Sequence, residues 1–276
     1  MVRCWWYYYR RKQKKILKLK ETLDSSYDIV TFKYNTHFDK DNNPILTSTR
    51  ERLFKREKKY LWKDPIHEYI ELSGKIYYAN DIFITHKKEA EYTDRNLKIY
   101  EEQIHNGKKL SPRSTYYFAR ELKDHHRYKE AIQYFEEFLD SKLGWLEDNI
   151  ASCYNLALCY KETHNNEKVL QSLIRSFEYD SPRAETTCEI GYYYISRNDY
   201  EKALKWFLLT THLKMPSTLG FLLNDYWGFI PNIELCVCYY KLGNIEKARY
   251  YNEIASKYKP NSDAVLYNKK FFASIK

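Results

Sequence analysis

Residues 50–71, RERLFKREKKYLWKDPIHEYIE, alternate basic and apolar side chains and then set an imidazole beside a carboxylate in Pro65-Ile66-His67-Glu68. No structural need obviously explains that run. A basic face of this kind could meet the phosphates of a small ligand, and the His-Glu pair raises the question of a catalytic centre with proton-transfer groups. Each residue also has a plainer use. His67 and Glu68 could be a hydrogen-bonded pair at a strand end, Arg52 and Arg56 a charged sheet face, Trp62 a packing residue, and His86, followed by two lysines, a solvated strand terminus.

The segments that would position these residues read as strands. DIVTFKYN (28–35), TRERLFKR (49–56) and KIYYANDIFITHKK (75–88) alternate, or run apolar and β-branched. Asp41-Asn42-Asn43-Pro44 is a turn between the first two, and NLKIYEEQIHNG (96–107) has helical period with a glycine stop. A few strands with one helix make a thin domain, a sheet lacking its other half.

From Ser111 onward a pattern recurs at intervals of roughly 34 to 45 residues, in four units of two helices each. The third reads EIGYYYISRNDYEKALKWFLLTT, with Ile190, Gly191 and Tyr194 on one helix face and Ala203 and Phe207 on the next. Gly191 and Ala203 are small because the helices approach closely there. This resembles the tetratricopeptide repeat, whose characteristic places are filled by Phe118, Ala119, Leu122, Ala131 and Phe135 in the first unit. Leu235, Cys236, Tyr239, Ala248 and Ala255 fill them in the fourth, with Gly243 at the turn, while Val169 stands where the second unit should have alanine. Ser111-Pro112 is an N-cap with proline at the first helical position, marking the start of the array. Such hairpins bury their apolar faces only by stacking, which implies a superhelix and explains many of the 29 tyrosines. MPSTLGFLLNDYWGFIPN, an insertion at about 212–231, is too apolar for a free loop and is expected to fold back on the array or on the first domain.

A longer stretch, STRERLFKREKKYLWKDPIHEYIE with IFITHKK, DRNLKIYEEQI and the repeats through KPNSDAVLYNKKFF, resembles bacterial family 2 glycosyltransferases that carry tetratricopeptide repeats after a GT-A catalytic domain. The resemblance implies a mainly α chain: a repeat superhelix over 109–276, preceded by a partial α/β remnant of the GT-A domain over 1–108. It further implies Glu68 or His67 as catalytic groups, Arg52 and Trp62 on the substrate, and His86 at a metal or phosphate. In the parent enzyme Mg²⁺ or Mn²⁺ would hold a nucleotide-diphosphate sugar; this chain has no Asp-x-Asp motif and no donor-binding half, so no cofactor and no sugar transfer are expected of it alone. Residues 1–11, read one base out of frame, can give Trp-Leu-Asp-Ala-Gly-Gly, which makes a frameshifted fragment the expected origin. The alternative is an interaction module without enzymatic activity, with a peptide or protein in the repeat groove or self-association.

Composition narrows the partners. The first sixty residues carry 16 Lys and Arg against 7 Asp and Glu, which accounts for the whole net charge of +9. The aromatic, basic arm MVRCWWYYYRRKQKK contains no recognisable reader of nucleic acid, so neither nucleic acid nor a membrane surface is the expected partner. At 43% hydrophobic and 30% charged residues the chain is a folded one, and no stretch reaches the roughly 18 apolar residues of a membrane span. Six cysteines without a CxxC pair read as buried reduced thiols, and the expected location is the cytoplasm.

Overall fold

The computed structural model describes residues 10–86 and 93–275, with side chains from residue 14. Residues 1–9, with Cys4 and most of the aromatic arm, and Lys87 and Lys88 lie outside the described residues. Two compact units are formed: one holds the chain to Thr93 together with Thr218–Leu222, the other runs Asp94–Ser217 and Leu223–Lys276. The described residues are mainly helical, with a small sheet.

In the first unit α1 (Arg10–Thr22) precedes β1 (Ile29–Asn35), β2 (Leu46–Phe54), the short β3 (Trp62–Lys63) and β4 (Tyr69–Ile70), and β5 (Ile76–Thr85). β1 pairs antiparallel with β2 and parallel with β5. A two-residue strand from the insertion, β6 (Leu222–Leu223), completes the order β5-β1-β2-β6. Because side chains alternate along a strand, Val30 and Phe32 share a face. That face joins Ala79, Ile82 and Ile84 in a cluster closed by Leu19 of α1. The helix at 10–22 was not expected from the sequence; its apolar positions Ile16 and Leu19, with Leu23 just beyond, cover the sheet. The β1–β2 turn is held by Asp39, whose carboxylate accepts from the amides of Asp41 at 3.0 Å and Asn43 at 2.8 Å.

Gly74 has φ of +92°, and a Cβ there would sit 2.2 Å from the Asp28 carboxylate oxygen. That oxygen accepts from the Lys75 amide at 3.0 Å, which holds the carboxyl below the usual carboxylate range. Gly74→Ala should therefore lower stability by about 1–3 kcal/mol, through backbone strain and a displaced carboxylate. Urea unfolding of the two proteins tests this, and an unshifted midpoint would show that the site absorbs a methyl group.

The second unit opens with α2 (Arg95–His105), which lies against α3 (Pro112–Asp124) through Tyr100 on Phe118 and Asn96 on Glu121. The division thus falls at Thr93, before the expected 108, because α2 packs with the repeats. Four hairpins follow: α3 with α4 (Tyr128–Ser141), α5 (Leu146–Glu162) with α6 (Asn166–Arg175), α7 (Ala184–Ile195) with α8 (Tyr200–His212), and α9 (Phe229–Lys241) with α10 (Ile245–Tyr258). α11 (Asp263–Ser274) covers the last. Ser111 caps α3 as expected, accepting from the Ser114 amide at 3.1 Å.

Each hairpin turns on one left-handed residue: His126, His164, Asn198 or Gly243. In the last three an Asn or Asp follows and caps the second helix: Asn165, Asp199 and Asn244 accept from the amides of Lys168, Lys202 and Lys247. Counted from that turn residue, Phe118, Leu156, Ile190 and Leu235 occupy one equivalent buried place, and Ala131, Val169, Ala203 and Ala248 another. Phe135, Leu173 and Phe207 occupy a third, where the last hairpin has Asn252. Asn252 is buried because α11 supplies its partners, the Val265 carbonyl at 3.4 Å and the Asn268 amide at 3.1 Å. The five described cysteines are buried and free, and burial pushes the thiols of Cys153, Cys159, Cys236 and Cys238 up to about 12. Among the described residues no helix is long and apolar enough to cross a membrane.

Candidate functional site

The residues singled out in the sequence fall into two groups. Arg52 on β2 and His86 just past β5 meet at the ring of Tyr34 on β1: the guanidinium carbon lies 5.0 Å from the ring centroid, and the imidazole stacks on it at 5.8 Å. The His86 amide donates to the Asn35 carbonyl at 2.9 Å. Trp62, His67 and Glu68 belong instead to the β3–β4 ribbon, where Trp62 pairs with Ile70. Trp62 is 65% exposed, Glu68 is exposed, and His67 is half-buried with left-handed backbone. Among the described residues no group of three or more His, Cys, Asp or Glu stands close enough to hold a metal ion.

A denser convergence lies in the helical unit. Glu185 and Glu189, one turn apart on α7, share a stripe with Tyr192, and Glu234 faces them from α9. The Tyr192 hydroxyl donates to Glu234 at 3.1 Å. The 3-10 turn Asn224–Trp227, immediately before α9, lays two aromatic donors on the same stripe. The Trp227 indole N–H reaches Glu185 Oε1 at 3.1 Å, and the Leu223 amide reaches the same oxygen at 3.0 Å. The Tyr226 hydroxyl donates to Glu189 Oε1 at 3.3 Å and lies 3.4 Å from the hydroxyl of Tyr154 on α5.

The local sequence accounts for this placement. Cys188 and Gly191 occupy the α7 stripe that packs against α8; Glu189, one residue after Cys188 and two before Gly191, is turned about 100° or more from both, and Glu185 lies one turn before it. Gly228 lets the turn pass beneath Tyr258, whose ring carbon would lie 2.3 Å from a Cβ there. Asp225, paired with Lys259 at 2.7 Å, anchors the turn on its other side.

Burial pushes all three glutamates above the usual carboxylate range. For Glu189 the pull of Lys161, whose Nζ is 3.8 Å away, is the smaller effect, and its side chain is only 11% exposed. Burial together with these carboxylates also raises the phenols of Tyr154, Tyr192 and Tyr226, which stay protonated donors. Chemically the cluster is a set of acceptors for N–H and O–H donors. A recess of about 530 Å³ lies apart from it, against α6 and Tyr193, lined by Leu170, Ile174 and Arg175. Sequence reading missed the cluster, although AETTCEIGYYY carries two acids at i and i+4 on a helix otherwise built of small and apolar residues.

No protein-family model matches the chain, and no curated protein matches it. Similar solved structures are tetratricopeptide-repeat proteins. YrrB, described as having an unusual peptide-binding site, is 20% identical with a TM-score of 0.47, over 64% of this chain and 83% of that one. MamA is 14% identical with a TM-score of 0.46, over 64% and 88%. A thermophilic repeat protein of Thermus thermophilus is 16% identical with a TM-score of 0.44, over 64% and 87%. The expectation of a family 2 glycosyltransferase fragment is thereby overturned: what the chain is similar to are repeat proteins, and none of these similarities supports a GT-A remnant in the small sheet.

Proposed function

We propose that this chain is a repeat-built binding module that holds a peptide or protein segment on the face formed by the first helices of its hairpins. One observation carries the reading. On α7 the residues that pack its own hairpin, Cys188 and Gly191, are distinct from Glu185 and Glu189, which engage residues that lie outside the repeat pattern; Tyr192 does both, its ring on Phe207 and its hydroxyl on Glu234. A helix face that offers acceptors and aromatic surface to non-helical chain is how a repeat array takes a guest.

Selection of peptides from a random library on the purified full chain, followed by calorimetry, tests this. Ligands with Kd of roughly 1–100 μM, about −8 to −5.5 kcal/mol, are expected. Tyr154→Ala should weaken them at least about tenfold, a loss of about 1.4 kcal/mol. A library that yields nothing tighter than about 1 mM overturns the reading.

A further inference from the structure

The insertion between α8 and α9 is not required by the repeat, yet its last residues are bound like a ligand. A backbone amide (Leu223), an indole N–H (Trp227) and a phenol (Tyr226) all donate to side-chain oxygens of α7, and Tyr226 also reaches Tyr154. The contact therefore spans the first helices of two successive hairpins. Helix-on-helix packing buries apolar ridges in grooves. Here irregular chain meets a polar stripe through directed hydrogen bonds, with aromatic surface filling between them.

We propose that residues 223–227 are an internal occupant of a peptide-recognition surface made by Tyr154, Glu185 and Glu189. The external partner is a protein segment with an acidic residue followed by two aromatic residues carrying N–H or O–H donors, as Asp225-Tyr226-Trp227 does. The acid would meet Lys259, which now pairs with Asp225, and the donors would meet Glu189 and Glu185. This inference rests on the binding-module reading and names the ligand of the same face. Because the internal segment is covalently attached, its effective concentration is in the millimolar range, so a partner must bring further contacts to displace it.

A labelled peptide with the sequence of residues 221–229 tests the surface directly, by anisotropy on the full chain. The double variant Tyr226→Ala, Trp227→Ala should bind it at least about tenfold more tightly than the unaltered chain does, since the tethered competitor is gone. Adding Glu185→Ala should remove that gain. Equal affinity for the unaltered and double-variant chains, or no binding to a double variant with full helical circular dichroism, overturns the proposal.

A second measurement needs no variant and separates a displaceable occupant from a fixed strut. In the unaltered chain, millimolar peptide should speed hydrogen exchange of the Leu223 amide at least about tenfold while α5 and α7 stay protected. An unchanged Leu223 rate at saturating peptide overturns the proposal even if the double variant fails to fold. Library peptides that bind regardless of Tyr226 and Trp227 would sink this inference and leave the module reading standing; a chain that binds no peptide in either assay would sink both.

Discussion

Phe207→Ala is expected to lower stability by about 3–5 kcal/mol, the cost of an aromatic ring lost from a closed core. The ring is fully buried, meets Tyr192 edge-on at 5.6 Å, and leaves no room for a side chain at position 191, where a Cβ would stand 2.5 Å from it. Gly191→Ala alone should therefore cost about 1–3 kcal/mol through overpacking, despite the better helix propensity of alanine. In the Phe207→Ala background the same change should become neutral or favourable, because the methyl enters the space the ring has left. A double-mutant cycle by urea unfolding reads the coupling, and a value of about 0.5–3 kcal/mol is expected for residues in contact. Additive effects would mean that α7 and α8 do not meet through this pair.

The second large effect is a pH dependence of unusual sign. Glu185, Glu189 and Glu234 hold their protons above the ordinary glutamate value of 4.5, whereas in the unfolded chain they release them near it. In that interval the folded state binds more protons, so its stability is fully present below about 4.5 and falls as pH rises through the raised values. The thermal midpoint should accordingly decline as pH rises above about 4.5.

Lys161 and Arg183, the cations facing Glu189 and Glu185, reduce the effect, but burial is the larger influence on both acids. Carboxylates held low by Lys98, Arg127 and Lys202 work in the opposite sense, only at lower pH. Changing all three glutamates to glutamine keeps an oxygen acceptor for Trp227, Tyr226 and Tyr192 and removes the titration. That variant should show a flat profile and exceed the parent at the alkaline end, and a slope that persists in it would assign the effect elsewhere. Glu185→Ala, by contrast, strands the Leu223 and Trp227 N–H groups at about 1–3 kcal/mol each.

The hairpins were legible because their signal is local. Small residues at 119, 157, 191 and 236 and at 131, 203 and 248 recur at fixed offsets from one turn residue, and helical period makes such places visible in a single sequence. Val169 breaks the pattern without breaking the fold, since a slightly larger residue is still buried there. The strands were legible in type, but their register was not. Nothing along the chain says that β1 lies between β2 and β5, or that Leu222 and Leu223 from the insertion extend the sheet beyond β2.

The glycosyltransferase reading failed for a related reason. Arg52, Trp62, His67, Glu68 and His86 were picked out by residue type and order along the chain, and neither fixes which of them stand together. The fold gathers Arg52 and His86 around Tyr34 and sets Trp62, His67 and Glu68 on a separate two-stranded ribbon.

By itself, then, the sequence determined that there are four helical hairpins, that the last turns at Gly243, and which residues are small enough for their helices to touch. These properties depend on neighbours within a few residues or a turn. Only the tertiary structure decided that Glu185 and Glu189 share their surroundings with Tyr154, Tyr226 and Trp227, which lie between 31 and 42 residues away along the chain. Hydrogen bonds between side chains so separated exist only once the hairpins have stacked. The desolvation that raises those carboxylates exists only then as well.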